Sequence, residues 1–506
     1  MGSIGPTSTQ KRKVQTSDVE NLKALLSDTN AKITPPNGSE DYKAAIARWS
    51  MAAAKPAGLV VQPLSAKQVA IVVKYASENN IELAVKGGGH STAGASSTDG
   101  GLLIVLESLR QVTIEDWPAE PGQKVFRIGG GASWGDVDRE GVKYGLHTVG
   151  GTVADTGVGG LTLGGGYGWL SGQYGLTIDC LVEVECVLAN GGIVRASEKE
   201  NTDLFWALCG AGQNFGVATE FVMRAYPQGG MWIGLVLFDT QPQTIEKIVS
   251  VINDNYTPNA DGRTKFKGQT MGGLGFISPP PAKGKIMTFV SIVFNGTEEQ
   301  GRAAWKPLFD IGPAMDTMAM QPYPVANTFL APPIGLRSSM KGSSFQLPLQ
   351  PTFVSEVQQM YTDFFTADPE DRGITLLMFE LYDPWKNMQS SHGSFANRGT
   401  HMNALICPIW KSAESDAQCR QWARDLNEMF KKQLVSQGVE TSEGGAAGGV
   451  APRSKKGGVM LYGNYDQYDE RSRDIFGDNY PRLQRLKAQY DPGNVFNKLF
   501  PIYPEA

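Results

Sequence analysis

Residues 85–91 read Val-Lys-Gly-Gly-Gly-His-Ser, and residues 150–168 read Gly-Gly-Thr-Val-Ala-Asp-Thr-Gly-Val-Gly-Gly-Leu-Thr-Leu-Gly-Gly-Gly-Tyr-Gly. A third cluster, Gly-Gly-Gly-Ala-Ser-Trp-Gly, starts at Gly129. From Gly87 to Gly168 there are 22 glycines in 82 positions, out of 60 in the whole chain. Strand-like segments flank the clusters: Leu83 to Lys86 before the first, Leu102 to Leu106 after it, and Val125 to Ile128 leading into the next. Two helix-like stretches, Ala66 to Asn79 and Trp134 to Tyr144, lie around them. Glycine lets backbone approach another group closely or adopt positive φ. Repeated glycine-rich turns at strand ends therefore read as a wall shaped to lie against a large, phosphate-bearing ligand, the alternative being ordinary turns in a sheet. A Rossmann fingerprint does not fit, because Gly210-Ala-Gly-Gln-Asn-Phe-Gly216 has its last glycine one residue late and follows a helix-like segment;. No cluster ends in Gly-Lys-Ser/Thr, so there is no P-loop;.

His90, one of four histidines with His147, His392 and His401, stands inside the first cluster among residues with almost no side chain. An imidazole on such a loop faces whatever the loop cradles. No His, Cys or carboxylate sits at metal-ligand spacing from it, so no metal is expected.

The remaining composition narrows the class. With 506 residues, 41% hydrophobic and 19% charged, the chain is long enough for two or three domains with a sizeable core;. Its net charge of −5 provides no global field for nucleic acid or acidic lipid;. The longest apolar runs, near Trp232–Phe238 and Ile286–Phe294, are too short to span a bilayer;. The N-terminus shows no secretory pattern, and the five cysteines form no Cys-x-x-Cys pair. A cytoplasmic protein without nucleic-acid or membrane partners is the expectation.

Five ordered motifs together carry a resemblance. Val85 to Ser91 is similar to the flavin-attachment loop of the berberine-bridge-enzyme-like branch of the vanillyl-alcohol-oxidase and p-cresol-methylhydroxylase (PCMH) superfamily. Gly157-Val158-Gly159-Gly160 with Gly164 to Gly168 resembles that family's second flavin loop. Asp203 to Leu208 with Asn214 to Val217 resembles its third. Tyr462-Gly463-Asn464-Tyr465 and Asp491-Pro492-Gly493-Asn494-Val495-Phe496 resemble its C-terminal return. The resemblance implies an α+β fold: a two-lobed FAD-binding domain of PCMH type over residues 1–228 (core 56–228), completed by residues 457–506. Between them, residues 229–456 would form a substrate domain, an antiparallel sheet covered by helices. Strand-like runs at Ile233–Phe238, Ile286–Phe294, Ile374–Leu381 and His401–Ile409 fit that sheet. Helix-like runs at Gln243–Asn253, Glu298–Phe309, Thr352–Phe365 and Asp416–Gln437 fit its cover;. Loops are expected at Ser278–Ala282 and Glu443–Gly458.

The resemblance further implies FAD linked covalently through His90. Lys86, Gly87, Gly88, Gly89, Ser91, Gly94, Gly150, Gly151, Val153, Thr156, Gly157, Val158, Gly160, Gly164, Gly165, Gly168, Val217, Tyr462, Asn464 and Asn494 are the other expected cofactor contacts. Relatives with a second, cysteinyl link carry it at the position of Val153, so attachment here is expected to be single. Relatives take their catalytic base from a position that falls here on Leu405 or Ile406, counted from Phe395-Ala396-Asn397-Arg398, and neither can accept a proton. Substitutes on the same sheet are Asn403, Glu380 and Tyr382, with Tyr462 the foremost, entering from the C-terminal motif. Tyr462 could equally only pack on the flavin, and Glu380 could be an ordinary surface strand residue. A missing base suits an amine or electron-rich carbon oxidised by hydride transfer. Val158 matches a small residue that leaves oxygen a path in relatives. The expected activity is an FAD-dependent oxidase of a small apolar or aromatic secondary metabolite, alcohol or amine, with molecular oxygen as acceptor. The alternative is an FAD-dependent cyclase or lyase using the flavin as scaffold.

Overall fold

The computed structural model describes residues 11–279, 284–439, 461–465 and 472–505. In the glycine-rich half, Leu59–Gln62, Leu102–Val105 and Leu83–Lys86 pair in parallel, with Lys32–Thr34 antiparallel at one edge. These strands are short apolar runs, as a parallel sheet covered by crossover helices requires. One such helix, Ala66–Glu78, starts where the Ser65 side chain accepts from Gln68 N, and it buries Val69, Val72, Val73 and Ala76 along one stripe;. Withdrawing its three valines from water contributes about 5 kcal/mol. A second, antiparallel sheet runs in the order Val112–Asp116, Lys124–Gly129, Val217–Arg224, Leu181–Val187, Ile193–Ser197.

The other half is an eight-stranded antiparallel sheet. Its main path is Met315–Asp316, Gly230–Phe238, Met287–Phe294, Thr270–Ile277, Leu376–Leu381, Met402–Cys407 and Lys341–Phe345, with Ala319–Pro322 also paired to Gly230–Phe238. Pro242–Tyr256, Pro351–Ala367 and Asp416–Ser436 are helices packed on one face. Side chains alternate along a strand. Leu377, Phe379, Leu381, Met402, Ala404 and Ile406 therefore join the helix-covered core, while Leu376, Met378, Glu380, Leu405 and Cys407 face the opposite way. The fold is α+β.

Two expected helices are interrupted. Trp134–Gly141 gives way to a 3-10 turn at Val142–Tyr144. The run Glu298–Phe309 divides into Glu298–Ala304 and Lys306–Phe309, because Pro307 has no N–H to continue the ladder;. The expected loop Glu443–Gly458 and positions 280–282 of the other lie outside the described residues.

The halves are joined by backbone and hydroxyl contacts. Ser50 Oγ donates to Ser338 O at 2.8 Å, Met51 N to Leu336 O at 2.9 Å, and Ala154 N to Asn327 O at 2.9 Å. The C-terminal segment returns to the first half through a buried clamp. Lys487 Nζ, 0% exposed, reaches Asp491 Oδ2, Asn214 O and Phe496 O, each at 2.6 Å. Asp491 in turn accepts from Val495 N at 2.8 Å and Phe496 N at 2.9 Å. The Asp491-Pro-Gly-Asn-Val-Phe turn is thereby fixed against the parallel sheet, with Val495 and Phe496 in its core.

Candidate active site

A cavity of about 320 Å³ lies between the glycine-rich turns and the uncovered face of the large sheet. On one side it is lined by Gly87, Gly88, Gly89, His90, Ser91, Val153, Thr156, Gly157, Gly160, Val217, Tyr462 and Asn464, all expected cofactor contacts. The turn at Phe496, Asn497, Lys498 and Leu499 completes that side. Two loops make this wall possible by crossing: a Cβ on Gly88 would come within 2.7 Å of Gly157 Cα. Gly89 has φ of +74°, which turns the chain into a concave loop;. Among the described residues, the amides of Gly88, Gly89 and His90 donate to no acceptor in the protein. Unengaged amides on a concave, side-chain-free loop fit the pyrophosphate of a dinucleotide.

The crossing also fixes the surroundings of His90. Its ring stacks on Trp49, with centroids 5.3 Å apart and planes 14° apart. Nε2 lies 3.3 Å from Asp155 Oδ1, and Nδ1 lies 3.4 Å from Thr156 Oγ1. Burial raises the Asp155 carboxyl, yet the His90 ring outweighs it and holds the group below the usual carboxylate range.

Other expected contacts lie behind the wall. Gly150 and Gly151 make room for the Trp134 ring, Gly164 for Asn464, Gly165 for Phe395, and Gly168 for the backbone of Gly150. Gly94, with φ of +75°, packs near Lys55, and Val158 is fully buried, away from the cavity surface. Asn494 holds a left-handed turn with φ of 48°. Lys86 Nζ donates to Ala44 O at 3.3 Å and Ala45 O at 3.1 Å, closing the end of the helix Glu40–Ile46. Burial, with Arg48 nearby, lowers the Lys86 ammonium to about 8.

The opposite wall is apolar: Trp169, Leu330, Pro332, Met340, Leu376, Met378, Leu405 and Cys407. Leu405 contributes a hydrocarbon surface, and Ile406 turns into the core. Glu380 is the one carboxylate lining the cavity among the described residues, 2% exposed. This corrects the reading of Glu380 as a surface strand residue, because strand alternation puts it beside Met378 on the inner face. Tyr465 donates to its Oε1 at 2.8 Å; Oε2 is buried, within hydrogen-bond distance of no partner among the described residues, with Asn403 beside the carboxyl. Burial pushes the carboxyl up to about 7, against the opposing pull of Tyr465 and Asn403. A carboxyl near neutrality in an apolar cavity can accept or return a proton at physiological pH.

The other expected catalytic groups differ in placement. Tyr462 lines the cavity, but its oxygen accepts from Asn464 Nδ2 at 2.9 Å and Tyr167 N at 3.4 Å, and its ring meets Tyr465 with centroids 4.8 Å apart. Asn403 is fully buried beside Glu380, off the cavity surface. Tyr382 donates to His401 O at 3.3 Å and packs on Tyr167, also off the cavity. Tyr465 and Asp155 were missed by sequence reasoning. Tyr465 closes the quoted Tyr462 motif, and Asp155 is the lone charge of the longest glycine cluster.

Comparison with known proteins gives the family. Residues 57–197 match the family profile of the FAD binding domain, and residues 461–500 match that of berberine and berberine-like proteins. The FAD-linked oxidoreductase pgmH of Aspergillus terreus is 30% identical over 97% of each chain. The chain belongs to the berberine-bridge-enzyme-like FAD-linked oxidoreductases. The fold of this FAD-linked oxidoreductase is shared by two solved structures. 6-Hydroxy-D-nicotine oxidase from Arthrobacter nicotinovorans has a TM-score of 0.74 at 22% identity, covering 94% of this chain and 98% of that one. The carbohydrate oxidase from Microdochium nivale has a TM-score of 0.74 at 20% identity, covering 96% and 100%. The cofactor of this berberine-bridge-like oxidoreductase is FAD, which would lie along the glycine wall.

Proposed function

We propose that the protein is an oxidase of a small, largely apolar molecule bearing one hydroxyl or amine, with Glu380 as the proton acceptor. The observation that carries this reading is the buried Glu380–Tyr465 pair in a cavity wall that is otherwise hydrocarbon, indole and thiol. A polyhydroxylated sugar would leave hydroxyls unpaired against Leu330, Met340, Met378 and Leu405, at a cost of roughly 1–3 kcal/mol each. A substrate with a single polar group meets the Glu380 carboxyl at the cavity wall while its flat or aliphatic body meets Trp169 and the methionines. FAD, when bound, supplies the hydride acceptor. The protein orients the substrate on the sheet face, takes the proton at Glu380, and keeps that carboxyl near neutrality by excluding water from it.

The expectation of chemistry without a base came from Leu405 and Ile406, and Glu380 on the neighbouring strand removes its motive. The cyclase alternative loses the same support. Covalent attachment through His90 and oxygen as acceptor belong to the proposal. His90 lines the cavity with its ring held between Trp49, Asp155 and Thr156. Gly159 and Gly160, not Val158, line the cavity, and oxygen would reach the flavin past them. The test is oxygen consumption against a panel of aryl alcohols, phenols, cyclic amines and oligosaccharides. Turnover of monofunctional apolar compounds with stoichiometric peroxide is expected; turnover of oligosaccharides alone contradicts the reading.

A further inference from the structure

Within the proposal that FAD is joined to His90, the surroundings of the imidazole assign a second residue to the attachment. The crossing of Gly88 and Gly157 sets Asp155 against the edge of the ring, with Oδ1 3.3 Å from Nε2. Trp49 closes one face of the ring and leaves it little freedom to rotate away. Asp155 makes no ion pair with Lys or Arg among the described residues, and its side chain is 38% exposed. The catalytic chemistry proposed above leaves it without a task.

We infer that Asp155 is the positioning residue and proton acceptor for covalent attachment of the flavin to His90. A carboxylate on Nε2 holds the proton there, so the lone pair of the neutral ring stays on Nδ1. Nδ1 bonds to the carbon of the flavin's 8-methyl group, and that carbon loses one hydrogen as a proton. The imidazolium so formed gives up its Nε2 proton through Asp155, whose side chain is 38% exposed, to water. The two electrons left behind reduce the flavin ring, and dioxygen removes them as hydrogen peroxide. The balance is one methyl C–H and one imidazole N–H lost, one C–N bond formed, and one dioxygen reduced to peroxide. Thr156 Oγ1, 3.4 Å from Nδ1, is close enough to orient the ring and too far to hold the lone pair firmly;.

The test compares wild type, Asp155→Asn, Asp155→Ala and Asp155→Glu. Bound flavin is measured by absorbance of the native protein, and covalent flavin by fluorescence of the band after denaturing electrophoresis. The expected result is near-complete attachment in wild type. Asn and Ala variants should contain FAD at similar occupancy but with at least a tenfold lower covalent fraction. Asp155→Glu should recover most of the linkage, and aerobic incubation of Asp155→Ala with formate should raise covalent flavin above a chloride control. A wild-type covalent fraction in Asp155→Asn overturns the inference. So does a low fraction that neither the Glu variant nor formate improves, which would mark Asp155 as shape alone. A wild-type protein whose FAD is released entirely by denaturation overturns the attachment itself, a separate outcome visible without any variant.

Discussion

Tyr465 and Glu380, 85 positions apart in sequence, meet at 2.8 Å at the edge of the cavity, phenol donating to carboxylate. The bond favours the ionised carboxyl, and burial favours the neutral one;. The balance leaves Glu380 at about 7. Tyr465→Phe removes the stabilising donor, so the pH midpoint of kcat/KM should move upward from near 7. Steady-state oxygen uptake between pH 5.5 and 9 checks this; an unchanged or lower midpoint would detach Tyr465 from the carboxyl.

The same group makes stability depend on pH. Its folded-state value is raised from 4.5 to about 7, so the folded protein holds the proton more tightly than the unfolded chain;. The associated stability is fully present below about 4.5 and is lost as pH rises through 7. At roughly 1.4 kcal/mol per unit, wild type should lose about 3 kcal/mol relative to Glu380→Gln between pH 4.5 and 8. Denaturant melts of both proteins at several pH values measure the difference. Asp138, also raised by burial to about 7, is common to both proteins and cancels.

Gly88→Ala should separate the two flavin loops. A Cβ there comes within 2.7 Å of Gly157 Cα, and backbone cannot give way as a flexible side chain would. The expected cost is about 1–3 kcal/mol, with loss of FAD from the purified protein because the concave loop opens. Flavin content per chain and thermal melting report the two effects together.

Lys487→Met leaves the Asp491 carboxylate buried without its cation. Lys487 also bonds the carbonyls of Asn214 and Phe496, so the variant orphans acceptors on two segments. A loss of about 3–5 kcal/mol in urea unfolding is expected. The Phe496–Leu499 wall of the cavity should loosen with it, read as faster amide exchange there.

Much of the architecture was legible in local pattern. The strand-like runs Leu83–Lys86 and Leu102–Leu106 and the helix-like run Ala66–Asn79 stand where the parallel sheet and its crossover helix form, and the Gly87–Gly89 and Gly157–Gly160 turns name the wall that lines the cavity. The misplaced glycines show the limit of such reading. Gly164, Gly165 and Gly168 stand in the same cluster as Gly157 and Gly160, but their missing Cβ atoms make room for Asn464, Phe395 and backbone. Which neighbour occupies that space depends on tertiary packing. Glu380 was named in the sequence only as one of four candidates, behind Tyr462, for a related reason. Its strand reads Leu-Leu-Met-Phe-Glu-Leu, apolar on both faces, so alternation could not say which side met a ligand and which met helices. Counting along one strand led to Leu405 and Ile406, whereas the carboxylate comes from the strand beside it.

The central claim is that Glu380 takes the substrate proton. Its most direct test is anaerobic rapid mixing of wild type and Glu380→Gln with the best-oxidised compound of the panel, following flavin bleaching from pH 5.5 to 9. The account predicts wild-type reduction that rises with pH around a midpoint near 7. It predicts a Gln variant about 100-fold slower or more and flat across that range, with FAD content unchanged. Flavin reduction in Glu380→Gln at the wild-type rate and with the wild-type pH profile would contradict it.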